Sequence, residues 1–180
     1  LVGAGGKRMR PLLTVAAARL CGYESDDDRH VKLATCVEFI HSATLLHDDV
    51  VDGAETRRGK PSANNVWGNA AVVLVGDFLY SRSFTLMTND GDLNIIKLIS
   101  ETTNTMAEGE VFQLLKRGDI GISEEDYFTL IEKKTAVLIA AACAVGGLMA
   151  GAPPDRVEAL RQFGNRMGLA FQLTDDTLDY

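Results

Sequence analysis

The sequence predicts an all-α protein, a bundle of antiparallel helices in one domain spanning residues 1–180. Three observations carry this. Only 4 prolines and 17 glycines occur in 180 residues, which leaves long uninterrupted segments. All four prolines fall where helices would start or stop. No stretch shows the strict apolar–polar alternation of a half-buried strand. With 46% hydrophobic residues, the chain is able to bury a sizeable core.

Each element follows from its punctuation. Pro11 suits the first turn of a helix running to Cys21, and Gly22 suits its end. Ser25-Asp26-Asp27-Asp28 opens a second helix, through Ala34, Phe39 and Leu45. Residues 53–68, basic and small, read as a loop, and residues 69–87 as the next helix. Asn89-Asp90-Gly91-Asp92 is a turn whose last residue caps the following helix. Residues 117–121 break that helix. Ser123-Glu124-Glu125-Asp126 resembles a capping box and opens a long helix to about Ala150. Its apolar run, residues 136–152, is heavy in Ala and Gly and shorter than the roughly 20 residues of a membrane span, so it reads as a buried helix. No transmembrane segment is expected. Pro153-Pro154 starts the last helix. The chain begins with Leu1 and stops at Tyr180, and reads as cut at both ends.

Charge and cysteine usage narrow the function. A net charge of -7 argues against nucleic acid as a partner. Cys21, Cys36 and Cys143 are odd in number and far apart, and show neither a disulfide framework nor a zinc pattern. They read as reduced core thiols of a cytoplasmic protein.

Two acidic pentads carry the chemistry: Asp48-Asp49-Val50-Val51-Asp52 and Asp175-Asp176-Thr177-Leu178-Asp179. On a helix, residues four apart lie about 40° apart, so Asp48 and Asp52 share a stripe with Asp49 at its shoulder. Asp175, Asp179 and Asp176 repeat the arrangement. Such carboxylates repel unless cations lie between them. Mg²⁺ shares its shell between a few carboxylates and substrate phosphates, so the pattern points to metal-held diphosphate.

Cationic side chains suited to phosphate accompany the pentads. Gly5-Gly6-Lys7-Arg8-Met9-Arg10-Pro11 places three at a helix N-terminus, and Arg57-Arg58 follows the first pentad. Lys133-Lys134-Thr135 precedes the apolar run. Gln172 lies one turn before Asp176, and His41 two turns before Asp48. Glu108-Gly109-Glu110 with Gln113 reads as an exposed polar face in preference to support for the site. Asp77, in an apolar helix, reads as buried and paired.

These strings resemble the trans-type polyprenyl diphosphate synthases. Phe39-Ile40-His41, Leu45-Leu46-His47-Asp48-Asp49-Val50-Val51-Asp52, Arg57-Arg58-Gly59, Gly76-Asp77, Lys134-Thr135 and Phe171-Gln172-Leu173-Thr174-Asp175-Asp176 occur in the family's order across the whole chain. The likeness is greatest to bacterial medium- and long-chain members of the octaprenyl type. It implies the isoprenoid synthase bundle around a deep central cavity, a cytoplasmic homodimer, and a membrane-seeking product. It implies condensation of isopentenyl diphosphate with an allylic prenyl diphosphate. Asp48, Asp49, Asp52, Asp175, Asp176 and Asp179 would hold two or three Mg²⁺ ions, with Mn²⁺ as a substitute. Arg57, Lys134, Thr135 and Gln172 would bind the allylic diphosphate. Gly6, Lys7, Arg10, His41 and Arg58 would bind isopentenyl diphosphate. Of these, Asp48, Asp49, Asp52, Lys134, Asp175 and Asp176 would be the catalytic set. Family members also have a helix before the position of Leu1 and helices beyond the second pentad.

The resemblance also implies where product length is set. Ala43 and Thr44 lie just below the first pentad, at the level where short-chain members carry bulky aromatics. Their small size opens a path towards Ile40 and Val37, and a facing Gly76 would widen it. The expected product is longer than farnesyl. The alternatives are a class I terpene synthase, against which the second set of diphosphate ligands speaks, and a regulatory subunit of a heteromeric synthase, against which two intact pentads speak. A metal-binding bundle of the di-iron type would want two Glu-x-x-His motifs, and the sequence holds one, at Glu38 and His41.

Overall fold

The computed structural model describes residues 6–57 and 59–178. Among the described residues, eight helices and one two-stranded hairpin follow in the order α1 (Met9–Leu20), α2 (Arg29–Val51), β1 (Thr56–Arg57), β2 (Lys60–Pro61), α3 (Ala63–Trp67), α4 (Asn69–Asp90), α5 (Leu93–Lys116), α6 (Glu124–Ile131), α7 (Val137–Met149) and α8 (Pro154–Leu178). A single π-helical segment, Glu132–Ala136, joins α6 to α7. The all-α expectation holds. The loop of residues 53–68 departs from it by folding into the hairpin, with Thr56 opposite Pro61, and into α3.

Helix ends follow the chemistry of their residues. The Asp92 side chain accepts from the backbone N–H of Asn94 and Ile95, satisfying two of the donors that the start of α5 leaves unpaired. Ser123 accepts from Asp126 N in the same way at the start of α6. Arg29 locks the bottom of the bundle. Its guanidinium donates to Asp90 at 2.7 and 3.0 Å and to the Met149 carbonyl at 3.1 Å, tying the start of α2 to the ends of α4 and α7.

α7 is the central helix. Its Leu138 to Gly147 stretch is buried without interruption, as the 136–152 run predicts. It packs between α1, α8 and α5, while α2 packs chiefly on α4. Small residues make this close approach possible. A methyl group at Gly164 would lie 2.7 Å from the Ala140 Cα, and one at Gly168 2.5 Å from the Ala136 Cα. The main core gathers Leu33, Cys36, Val37 and Ile40 of α2, Met87 of α4, Ile95, Ile99 and Met106 of α5, and Leu138, Ala142 and Val145 of α7. α4 alone among the described helices is long and apolar enough to cross a membrane. It leaves Leu74, Val75 and Phe78 at least half exposed.

The long helix expected from residue 123 to Ala150 is one continuous rod with a π turn in it. The widened turn packs against both α5 and α8: a methyl at Gly109 would lie 2.8 Å from the Lys133 Cβ. Asp77 is paired as expected, its carboxylate 3.3 Å from His47 Nε2, but it is exposed where burial was expected. A second expectation fails. Gly76 faces the His47 imidazole, which fills the space a side chain would need, and so does not face the small residues of α2. The glycine lets α4 approach α2 at that histidine.

Candidate functional site

The first acidic pentad sits at the C-terminal end of α2, and Asp175 and Asp176 of the second lie on α8. A helix C-terminus carries about half a negative charge, so carboxylates there add to a potential that is already negative. Such a placement costs stability unless cations arrive.

Asp48, Asp49 and Asp52 occupy the end of α2, and their environments differ. Asp49 is buried and takes Arg57 of β1 on one oxygen, from Nε at 2.8 Å and Nη2 at 2.7 Å. Asp52 is exposed and lies 3.2 Å from Arg117 at the end of α5. Asp48 has no direct ion pair among the described residues. Burial, and then the negative charge of Glu110, push its carboxyl up to about 6, against the smaller pull of Lys134 and Arg57. Asp48, Asp49 and Asp52 offer oxygen donors alone, the donor type that magnesium takes.

The π turn connects this face to the second. Adjacent residues of the widened turn point to different helices. Lys134 reaches α5, with its ammonium 2.9 Å from Glu110 and also donating to the Gln113 side chain. The Thr135 hydroxyl donates to Gln172 Oε1 of α8 at 2.8 Å. The Gln172 amide donates in turn to Asp176 Oδ1 at 2.8 Å. Thr135, Gln172 and Asp176 are thus linked by hydrogen bonds, with Lys134 beside Thr135 in the same turn. Glu110 and Gln113 correct the expectation of a mere polar face: both hold Lys134. Glu108 does fit it, pairing with Lys133 at 2.9 Å. Asp175 is exposed beside Asp176. Asp179 and Arg58 lie outside the described residues.

The basic N-terminal segment folds over α2. Arg8 precedes α1 with a positive φ of 51°, a conformation that costs a non-glycine residue energy and is held by its ion pair with Glu38. Arg10 is enclosed: its Nε has no hydrogen-bond partner among the described residues, and burial lowers the guanidinium to about 10 despite the nearby Glu38 charge. A desolvated guanidinium with an unmet donor is suited to an anion. His41 is half-buried one turn beyond Glu38, Gly6 is half-buried, and Lys7 is exposed. Below the first pentad, Val37, Ile40 and Ala43 are fully buried, and the half-buried Thr44 returns its hydroxyl to the His41 carbonyl at 2.9 Å.

Sequence reasoning missed Tyr127, whose hydroxyl donates to Asp176 Oδ2 at 2.5 Å, and Arg117 on Asp52. Each lies dozens of residues from its partner, and no local pattern marks it.

The polyprenyl synthetase family model matches residues 1–180. The chain belongs to the polyprenyl synthetase family. It is 51% identical to the octaprenyl diphosphate synthase of Escherichia coli over 180 residues, all of this chain and 55% of that protein. It is 44% identical to the all-trans-nonaprenyl-diphosphate synthase (geranyl-diphosphate specific) of Rhodobacter capsulatus, again over the whole chain and 55% of the relative. The chain therefore spans about half the length of the curated relatives it matches. It superimposes on the polyprenyl synthase of Caulobacter crescentus complexed with calcium and isoprenyl diphosphate, with a TM-score of 0.95 and 52% identity, over 100% of this chain and 54% of that one. This family membership accounts for the all-α bundle, the isoprenoid synthase fold of its structural neighbours.

Proposed function

We propose that this chain is the core of a trans-prenyltransferase that joins isopentenyl diphosphate to an allylic diphosphate, head to tail, and makes a medium- or long-chain all-trans polyprenyl diphosphate. One observation carries the reading: the π turn places Lys134 on the side of the first acidic face and Thr135, through Gln172, on the second. Such an arrangement supports a diphosphate held by these side chains with carboxylates on either side. The calcium and isoprenyl diphosphate named with the Caulobacter relative support the same assignment.

Asp48, Asp49, Asp52, Asp175, Asp176 and Asp179 would hold magnesium, which supplies positive charge to a departing diphosphate. Arg57, Lys134, Thr135 and Gln172 bind the allylic diphosphate, and the cations among them stabilise its charge as the carbon–oxygen bond breaks. Gly6, Lys7, Arg10, His41 and Arg58 bind isopentenyl diphosphate. Its double bond supplies the electron pair of the new carbon–carbon bond, and loss of one proton restores a double bond in a product five carbons longer. Arg57 and Lys134 rest on Asp49 and Glu110 before a ligand arrives, so their charge is held in place. The apolar core around Val37, Ile40 and Ala43 keeps water from the allylic cation, which water would convert to an alcohol.

The apolar face of α4, with Leu74, Val75 and Phe78 exposed, supports assembly as a homodimer. The three cysteines, all thiols, support a cytoplasmic location.

The test supplies the full-length protein with Mg²⁺, farnesyl diphosphate and labelled isopentenyl diphosphate, and sizes the dephosphorylated products. A ladder ending well beyond fifteen carbons, lost in Asp48→Ala and with chelator, is expected. Mg²⁺-dependent release of diphosphate without incorporation of label would replace the reading by a terpene synthase.

A further inference from the structure

The Asp176 carboxylate has a donor on each oxygen. Gln172 lies one turn earlier on α8 and moves with Asp176. Tyr127 does not: it belongs to α6 and ties Asp176 to a separate element across 49 residues of sequence. Its base is fixed. Ser123 caps α6 through Asp126 N at 3.0 Å, and Lys116 of α5 holds the Asp126 carboxylate at 2.8 Å.

The chemistry of the two donors suits a ligand that must remain available. A carboxylate offers about four lone-pair sites on its two oxygens. One donor on each leaves about half of them for a cation. Both donors are neutral, so neither has to be expelled when a cation comes. Asp49 is the contrast, because its partner is the cation Arg57. A hydrogen bond from a second element also removes rotamer freedom from the carboxylate before binding, so less is lost on binding.

We propose that Tyr127 is a positioning residue for the second acidic face, its hydroxyl fixing the Asp176 carboxylate in the orientation that receives a divalent cation. This rests on the prenyltransferase reading above. The test is a Mn²⁺ titration, followed by electron paramagnetic resonance, of the full-length protein with an allylic thiolodiphosphate that does not ionise. Tyr127→Phe is expected to weaken Mn²⁺ binding about tenfold, the scale for losing a group that orients a metal ligand. Asp176→Asn is expected to weaken it at least as much. The KM for isopentenyl diphosphate is expected to stay unchanged in Tyr127→Phe, because none of the residues assigned to that site belongs to α6 or α8. Mn²⁺ binding that is unchanged or tighter in Tyr127→Phe, with binding lost in Asp176→Asn, overturns this inference alone. A parallel rise in the isopentenyl KM overturns it in favour of a structural role. Mn²⁺ binding that does not depend on Asp176 overturns it together with the functional reading.

Discussion

Gly168→Ala tests whether the contact between α8 and the π turn sets the geometry of the site. The added methyl would lie 2.5 Å from the Ala136 Cα and 2.8 Å from its Cβ. Carbon atoms pack at about 3.5–4.0 Å, so α8 and the turn must separate by about 1 Å. The neighbour is backbone and cannot rotate away. Overpacking of this kind costs about 1–3 kcal/mol. Alanine regains about 1 kcal/mol through helix propensity, which leaves a net loss of about 0–2 kcal/mol. The larger effect is on the reaction. Gln172 is one turn and Asp176 two turns beyond Gly168, so a displacement of about 1 Å takes the 2.8 Å Thr135–Gln172 bond beyond hydrogen-bond reach. A displacement of that size costs on the order of 10²-fold in rate. Gly147→Ala is the control, since its methyl meets the end of the Leu160 side chain at 2.9 Å, which has freedom to turn. Urea melts of the metal-free protein and steady-state kcat for both variants give the answer. A Gly168→Ala protein with wild-type kcat, or a kcat no lower than that of Gly147→Ala, would refute the reasoning.

Three other predictions follow from the same structure. The Asp48 carboxyl is raised to about 6 in the fold. Below the unfolded value near 3.8 both states are protonated, between 3.8 and about 6 only the fold keeps the proton, and above 6 the penalty is complete. Metal-free Asp48→Asn is therefore expected to exceed the wild type in stability at pH 8 by about 1–2 kcal/mol, discounted for partial exposure, and to match it near pH 3.5; an unchanged difference across that range in urea melts speaks against the shift. Arg29→Met removes bonds to Asp90 and the Met149 carbonyl and leaves the mostly buried Asp90 carboxylate unpaired, so a loss of about 2–3 kcal/mol is expected by thermal or urea unfolding, with KM values unchanged. Ala43→Phe is expected to shorten the product on chromatography; unchanged length in an active variant removes Ala43 from the path of the growing chain.

Much of this was legible in the sequence because it is local. The caps at Asp92 and Ser123, the proline starts and the buried Ala- and Gly-rich helix all rest on short-range chemistry. The acidic pentads stood out because carboxylates four apart share one face of a helix, whereas the roles given to the basic residues came from the resemblance of their strings to a family. What was not legible depends on partners distant in the chain. The π turn has no local sequence signal; it forms where Gly109 and Gly168 bring α5 and α8 against it. Glu110 reads as a surface charge until Lys134 is placed opposite. Asp77 reads as buried because its neighbours are apolar, yet α4 turns several of them outward. Gly76 reads as space for a substrate until the His47 ring is found in it.

The central claim is that the two acidic faces hold divalent cations against one diphosphate. A crystal structure of the full-length protein with Mn²⁺ and an allylic thiolodiphosphate, with anomalous data at the manganese edge, measures this directly. Manganese peaks are expected between the diphosphate and Asp48 and Asp52 on one side and Asp176 on the other, with Lys134 and Arg57 turned onto the phosphates. A diphosphate bound away from either carboxylate face, or bound between them without manganese, would contradict it.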